Sequence, residues 1–420
     1  MKQVAKAIRK SVVACVAISL VAGVTFLLCE LGFRTLLFSQ VAFMEWWRNP
    51  SLYTEHHSSD EDWWKLYHAF HKPMNPTTKH PHPLLGWTSE KFSEATYLHT
   101  EAALVGRRRP VLLYGDSFTQ CLLPEDDCFQ GLLNRDREFA RTHYLLNYGV
   151  GGYGVDQMYL LLKNSLPLYH DPQVIVGIYT RDLDRSILSF FVGPKPHFEV
   201  VEDELVLQGT PIVQDPSMYQ TDYPPRIWSY LYRLWLYQEG RPWRLRQYLR
   251  GTDTAQAKKQ RINEQLVEEM LREIERRHLP VAFIIFADRE QIREVGWREQ
   301  FLADLLTRHG VPYISSRDVI NKDRQRHGKP LEDYYLPNDK HPNAYQTRLI
   351  AQELKSRLIM SGTFGKQRST SRASLCCKVC HSTDTQPLAA PVMTRAMCGT
   401  AKALLLPTPV VGNRLSIDIK

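Results

Sequence analysis

Cysteine is missing where a metal site would need it. The chain has 420 residues and 8 cysteines, and none lies between Glu30 and Gln120. That stretch carries His56, His57, His68, His71, His80, His82 and His99. Without cysteine, and with spacing that matches no zinc pattern, they read as structural or solvated histidines and imply no metal. No interleaving of basic and aromatic residues suggests a nucleic-acid surface. The formal charge of +8 is modest for this length. Arginine and lysine are dispersed apart from Arg107-Arg108-Arg109 and the stretch 241–259, a solvated basic face. Residues 11–29 hold no charge at all. That run is close to the ~20 residues a membrane-spanning helix needs. Lys2, Lys6, Arg9 and Lys10 precede it, so residues 1–10 are expected in the cytoplasm and the rest on the outer side. No clear small-x-small cleavage site stands before Glu30, which favours an uncleaved single-pass anchor over a signal peptide.

What is present is apolar material and alternation. At 43% hydrophobic the chain can build a full core, and its length suits one large domain or two smaller ones with tails. Residues 30–104 read as a stalk or lead-in, rich in proline and histidine and holding Trp46, Trp47, Trp63 and Trp64. From Pro110 strands and helices alternate. Strands are expected at 111–114, 144–148, 174–179, 281–286 and 313–315. Helices are expected at 129–139, 155–166, 255–277, 296–309 and 344–360. Such alternation implies a mostly parallel sheet with helices on both faces. Residues 194–250 interrupt it with a hairpin at 198–207 and an aromatic helical stretch at 227–249, expected as a cap over the carboxyl edge of the sheet. Residues 361–420 lose all periodicity and read as a disordered tail. The tail's Cys377-Lys378-Val379-Cys380-His381 fits a haem-attachment pattern, but no haem domain surrounds it. No cofactor is expected.

The first strand runs into Gly115-Asp116-Ser117. A buried strand ending this way holds a hydroxyl at the carboxyl edge of a parallel sheet, where open α/β sheets bind ligands. A helix starting near Phe118 would bring free N–H groups beside Ser117. A serine nucleophile needs a base, and the base an orienting acid. Asp339-Lys340-His341-Pro342-Asn343 supplies both. Pro342 biases His341 toward extended backbone, so Asp339 and His341 share a face while Lys340 points away. Asn343 is placed to cap the last helix. Cys121 and Cys128 pair if the domain lies in an oxidising compartment, and are otherwise buried thiols.

The turn Asn147-Tyr148-Gly149-Val150-Gly151-Gly152-Tyr153-Gly154 offers backbone N–H groups for a developing oxyanion. The same letters satisfy G-x-G-x-x-G. That fingerprint follows the first strand of its unit, with an acid about 20 residues on. Here a strand ending in Gly-Asp-Ser comes first, and the next strand end, Thr180-Arg181-Asp182, lies too far on.

Gly115-Asp116-Ser117, the 147–152 turn, Thr180-Arg181-Asp182 and the 339–343 block resemble the ordered blocks of the SGNH, or GDSL-type, hydrolase superfamily over roughly residues 105–360. The resemblance implies a flavodoxin-like three-layer α/β/α sandwich with a parallel sheet. It implies a serine esterase with Ser117 as nucleophile, His341 as base and Asp339 as its acid. The Ser117 and Gly152 N–H groups would form an oxyanion hole. The family places Asn-Asp after the third strand, whereas this chain has Arg181-Asp182. Arg181 would therefore donate to the oxyanion, bind an acidic substrate group, or pair with Asp182 or Asp184. An acid two residues before the histidine is similar to membrane-anchored relatives that act on O-acetyl groups of polysaccharides. The expected substrate is an O-acyl ester of a carbohydrate or lipid. An O-acyltransferase and a non-catalytic binding protein are the alternatives.

Overall fold

The computed structural model describes residues 2–39, 41–70, 80–212, 224–237 and 252–359. Five parallel strands organise it: β1 (Arg109–Gly115), β2 (His143–Gly149), β3 (Gln173–Tyr179), β4 (Val281–Phe286) and β5 (Tyr313–Ser315). Their spatial order is β2-β1-β3-β4-β5. The helices are α1 (Lys2–Phe38), α2 (Glu61–Phe70), α3 (Ser117–Gln120), α4 (Phe129–Arg135), α5 (Val155–Ser165), α6 (Asp182–Arg185), α7 (Tyr230–Tyr237), α8 (Thr252–Glu275), α9 (Trp297–Arg308), α10 (Ser316–His327) and α11 (Ala344–Leu354).

Parallel strands are joined by crossovers that cover both faces, so their sequences read as unbroken apolar runs. Successive side chains still part to opposite sides. Leu112 and Tyr114 join the layer built by α5, α8 and α9, while Val111 and Leu113 join the one built by α4 and α11. The result is a three-layer α/β/α sandwich in the flavodoxin-like strand order. The order reverses at β1, and the crevice outside the carboxyl ends there is the ligand position in open α/β sheets.

A row of glycines crosses the sheet at that point. Gly115 pairs in register with Gly149 of β2 and Gly177 of β3. A Cβ at Gly177 would overlap Thr119 Cγ2 and reach 3.0 Å from a Phe286 ring carbon. A Cβ at Gly115 would lie 2.5 Å from the Gly177 carbonyl oxygen, and one at Gly149 would overlap the Gln120 nitrogen. The missing side chains make a bare floor, and α3 rests on it.

The N-terminal helix is longer than the expected span. It runs to Phe38, and residues 8–29 of it are exposed. Its last turns are built into the protein. Leu37 joins Met44, Tyr53, Leu66, Phe70, Ile227 and Tyr230 in a satellite core. The lead-in continues that packing: α2 turns Leu66 and Phe70 to the satellite core, and its Trp64 packs against the main core.

The described parts of the insertion are a hairpin and a short helix. Its hairpin (His197–Val201 with Glu204–Gln208) turns through Glu202 and Asp203, both at positive φ, and lays Phe198 against Tyr159 of α5. Arg261 and Gln265 of α8 bond to Asp203 at the same turn. Helix α7 packs instead on the end of α1. The apolar sides of both described pieces find partners on helices. Residues 238–249 of the expected aromatic helix, and 360–420 with the Cys377–Cys380 motif, lie outside the described residues.

The glycine row gives a test. Gly177→Ala forces its methyl into Thr119 and Phe286. Overpacking of this kind costs about 1–3 kcal/mol, read as a lower melting temperature. Adding Thr119→Ser removes the clashing Cγ2 and should restore most of the loss. Failure of the second change to rescue would show that α3 does not bear on Gly177.

Candidate active site

The crevice is built from its own backbone upward. Asp116 leaves β1 in extended conformation and N-caps α3, its Oδ1 accepting from Phe118 N at 2.8 Å. This turn presents Ser117 at the edge. Thr119 Oγ1 donates to Asp116 O at 2.8 Å, and Asn147 Nδ2 donates to Thr119 O at 2.7 Å. A disulfide between Cys121 and Cys128 ties the end of α3 to the start of α4, with Cα atoms 5.7 Å apart. Of the two states open from sequence, the cysteines are in the oxidised one.

The second half arrives from residues far down the chain. Leu336-Pro337-Asn338-Asp339 forms a turn with Asn338 at φ 56°, closed by Asp339 N donating to Leu336 O at 3.1 Å. Proline then asparagine at the two centres suits a type II turn. Leu336 N donates to His341 O at 3.0 Å, and Tyr335 bridges Pro342. Asn343 caps α11 through Tyr345 N and Gln346 N, while its Nδ2 donates to Asp333 O at 2.8 Å. The clip holds His341 with its ring 4.9 Å from that of Phe118.

His341 Nε2 lies 2.8 Å from Ser117 Oγ, and its Nδ1 lies 2.6 Å from Asp339 Oδ1. The same carboxylate oxygen accepts from His341 N at 2.9 Å. A carboxylate can only accept, so Nδ1 carries the proton and Nε2 faces the serine as acceptor. Burial pushes Asp339 upward, but the hydrogen bonds from His341 outweigh it and hold the carboxyl below its ordinary value. Lys340 points away and donates to Glu290 at 2.8 Å.

Gly152 occupies the third position of the turn Val150–Tyr153 at φ 84°, a conformation that favours glycine. Gln120 Oε1 accepts from Gly151 N at 2.6 Å, and a Cβ at Gly151 would lie 3.7 Å from Ser117 Cβ, so this turn lies against the serine. Neither the Ser117 nor the Gly152 N–H has a protein acceptor among the described residues.

Arg181 follows β3, and its Nε donates to Asp288 at the end of β4. Its Nη2 lies 3.7 Å from Glu290 Oε2. It pairs with neither Asp182 nor Asp184. Asp184 takes Lys259 and Arg298, each at 2.8 Å. Asp182 takes Arg185, which sequence reading passed over. Arg185 Nη1 donates to Asp182 at 2.6 Å and to Asp116 at 3.1 Å, all three residues being buried. Burial and the neighbouring Asp116 carboxylate push Asp182 well above the ordinary carboxyl value. The only sequence signal was an arginine three residues after an acid on a short helix.

The lead-in supplies the buttress. Trp87 Nε1 donates to Gly151 O at 3.1 Å, and Tyr153 OH donates to Trp87 O at 2.5 Å. His68, His82 and His99 of the lead-in bond to the backbone. His99 Nε2 meets Asn147 O at 3.3 Å, His68 Nε2 meets Val192 O at 2.8 Å, and His82 Nδ1 accepts from Leu84 N and Leu85 N. The rings of His56 and His57 lie with centres 4.0 Å apart, tilted by 33°. Burial, then the cations Arg181 and Lys340, lowers His56 to about 4; burial, then His56, lowers His57 to about 3. Both rings are neutral at physiological pH. His71 lies outside the described residues.

Fold and geometry together define an α/β sandwich with a Ser-His-Asp constellation at its switch point. No protein-family model matches the chain, and no curated protein matches it. Solved structures similar to it include a member of the lipolytic G-D-S-L family from Veillonella parvula, 12% identical, covering 59% of this chain and 96% of that one, with a TM-score of 0.32. An acetyl xylan esterase is 15% identical over 60% of this chain and 100% of its own, with a TM-score of 0.35. A two-domain esterase active on acetylated mannans is 13% identical over 61% and 50%, with a TM-score of 0.35.

The buried charges give the next test. Arg185→Leu strands two carboxylates, and breaking a buried pair costs about 3–5 kcal/mol. A carboxyl raised in the folded state stabilises below its unfolded value and loses that contribution as pH rises through the folded value. Without Arg185 the Asp182 value rises further. The melting-temperature deficit of the variant should therefore widen as pH is raised through neutrality. A deficit equal at acid and neutral pH would separate Arg185 from the two acids.

Proposed function

We propose that this chain is a membrane-anchored serine esterase that removes O-acyl groups, acetyl foremost, from a carbohydrate or lipid. One observation carries the reading: a single imidazole within hydrogen-bond reach of both Ser117 Oγ and the Asp339 carboxylate. Ser117 Oγ attacks the ester carbonyl carbon while His341 Nε2 takes its proton. Asp339 keeps the proton on Nδ1 and stabilises the imidazolium. The oxyanion is met by the N–H groups of Ser117 and Gly152, with Arg181 as a third donor through the guanidinium N–H groups that Asp288 leaves unbound. His341 protonates the leaving alcohol. A water that gives its proton to His341 then attacks the acyl-Ser117 carbonyl; the acyl–Oγ bond breaks, His341 returns the proton to Ser117 Oγ, and the acid leaves. An open depression of about 640 Å³ lies beside Asp339, with Arg289, Glu290, Arg293 and Lys340 in its lining.

The apolar α1 and the cations before it support a single span with the body outside the cytoplasm. The Cys121–Cys128 disulfide supports the same side, since such bonds persist in oxidising compartments.

A fluorophosphonate probe tests the chemistry. Wild type should be labelled on Ser117, with no label in Ser117→Ala. Ser117→Ala and His341→Ala should each abolish turnover of a small acetyl ester, and the double variant should be no worse than either, because the residues act as one unit. Labelling that survives Ser117→Ala would overturn the assignment.

Arg181 has a test of its own. Loss of one oxyanion donor costs on the order of a hundredfold in kcat. Arg181→Ala should show that loss with KM little changed, and Arg181→Asn should keep most of the activity. A rise in KM confined to anionic esters would make Arg181 a substrate-binding residue instead.

A further inference from the structure

Exposed aromatic side chains gather at the end of α1. Phe43 is 68% exposed, Trp46 67% and Trp228 68%. Trp228, Tyr232 and Trp235, at helical spacing, stack in a ladder with centres 5.2 and 6.0 Å apart. We infer that these residues form a surface that sits in the headgroup layer of a lipid bilayer and seats the folded body against the membrane. The inference rests on reading α1 as a membrane span.

Height is the first argument. At 1.5 Å per residue, residues 11–29 cover about 28 Å, close to the ~30 Å of bilayer hydrocarbon. Glu30 is the first charge beyond them, and it is bonded to the insertion. Its carboxylate accepts from Ser229 Oγ at 2.9 Å, Tyr230 N at 2.8 Å and Leu231 N at 3.0 Å, capping α7. Arg34, one turn on, donates to Ile227 O and Trp228 O, each at 3.2 Å. Trp228 is thus fixed at the level of the first turn outside the hydrocarbon. Arg48 binds the carbonyls of Leu37, Ser39 and Val41, which folds the turn carrying Phe43 and Trp46 back onto the helix end.

Continuity is the second. Leu31, Leu36 and Phe38 keep an exposed apolar surface running from the uncharged stretch to this zone. The aromatic surface therefore extends the face of α1 that lipid covers. Tryptophan and tyrosine are the residues enriched at membrane–water interfaces, where an apolar ring and a polar N–H or O–H both find partners. A second copy or another protein has no such continuity to favour it.

The test uses the full chain in phosphatidylcholine vesicles, with lipids brominated near the headgroup or near the chain end. Alkaline carbonate extraction first reads the span alone. If the chain stays in the pellet, tryptophan fluorescence should be quenched more by shallow than by deep bromine. Trp46→Phe with Trp228→Phe, which preserves the apolar surface, should remove about half or more of that shallow quenching. Trp46→Ser with Trp228→Ser should loosen the seating, read as reduced shallow quenching of the remaining tryptophans at an unchanged melting temperature in detergent. An integral chain whose shallow quenching is unchanged by the phenylalanine variant overturns the seating and leaves the anchor standing. Extraction by carbonate removes the anchor and the seating together. A cross-linked dimer lost in the serine variant, with no shallow quenching in wild type, assigns the surface to a second copy and overturns the proposal.

Discussion

The site depends on three side chains that are not there. Gly115, Gly149 and Gly177 stand in register on adjacent strands, and α3 lies where their Cβ atoms would be. Because α3 sits that low, Asp116 can be fully buried and still cap it, and Asn147 can reach Thr119 O. Phe118 then stacks on Tyr179 with ring centres 4.2 Å apart and offers its other neighbour, His341, a flat wall. The position of Ser117 is therefore a packing result before it is a chemical one. A well-packed interior transmits displacement of one group to the next, so a methyl on the floor is felt at the serine.

Burying Asp116 brings a cost that the fold answers locally. Two carboxylates, Asp116 and Asp182, face one guanidinium, Arg185. A buried charge persists only when paired and hydrogen-bonded. Arg185 meets that need, and its Nη1 also reaches Tyr153 O at 3.2 Å, on the far side of the glycine turn. The cation thus links the ends of β1 and β3 to the turn that carries Gly152. Arg181, with its own acid at Asp288, is a separate unit. Two arginines in this short segment do different work. One is locked among acids under the floor, and the other stands partly exposed at the rim.

Much of this was legible in the sequence, for reasons that mark where legibility stops. The strands read correctly because each is apolar on both faces, which a run of letters displays directly. The spacing from Asp339 to His341 and the cap at Asn343 are local, so backbone rules reach them. Gly177 was not noticed. A lone glycine inside a strand signals close approach of another segment, but the approaching segment, α3, lies far back in the chain. Arg185 and the partners of the lead-in histidines escaped for the same reason. His99 looks like any polar residue until Asn147 O is beside it. A hairpin's letters fix its register and turn, not the surface it lands on. Phe198 found Tyr159, and α7 found Glu30.

The lead-in is the element whose role changes most between letters and structure. Helix α2 faces two ways. Leu66 and Phe70 pack with Leu37 and Tyr230 beside the end of α1. On its other side Trp64 meets Phe191, His68 meets Val192, and Glu61 accepts from Ser189 N and Oγ. Those partners belong to the segment that follows Arg185. Lys195, fully buried, closes that segment onto Asp156 and onto the carbonyls of Arg185 and Leu188. A continuous chain of packed groups therefore runs from the apolar helix through α2 to the residues beneath Ser117. A flexible stalk would have exposed backbone and few buried contacts. Here the buried contacts are dense, and they include charges that a shifted segment would leave unpaired. The physical consequence is that the last turns of the N-terminal helix and the segment beneath Ser117 are joined by buried contacts.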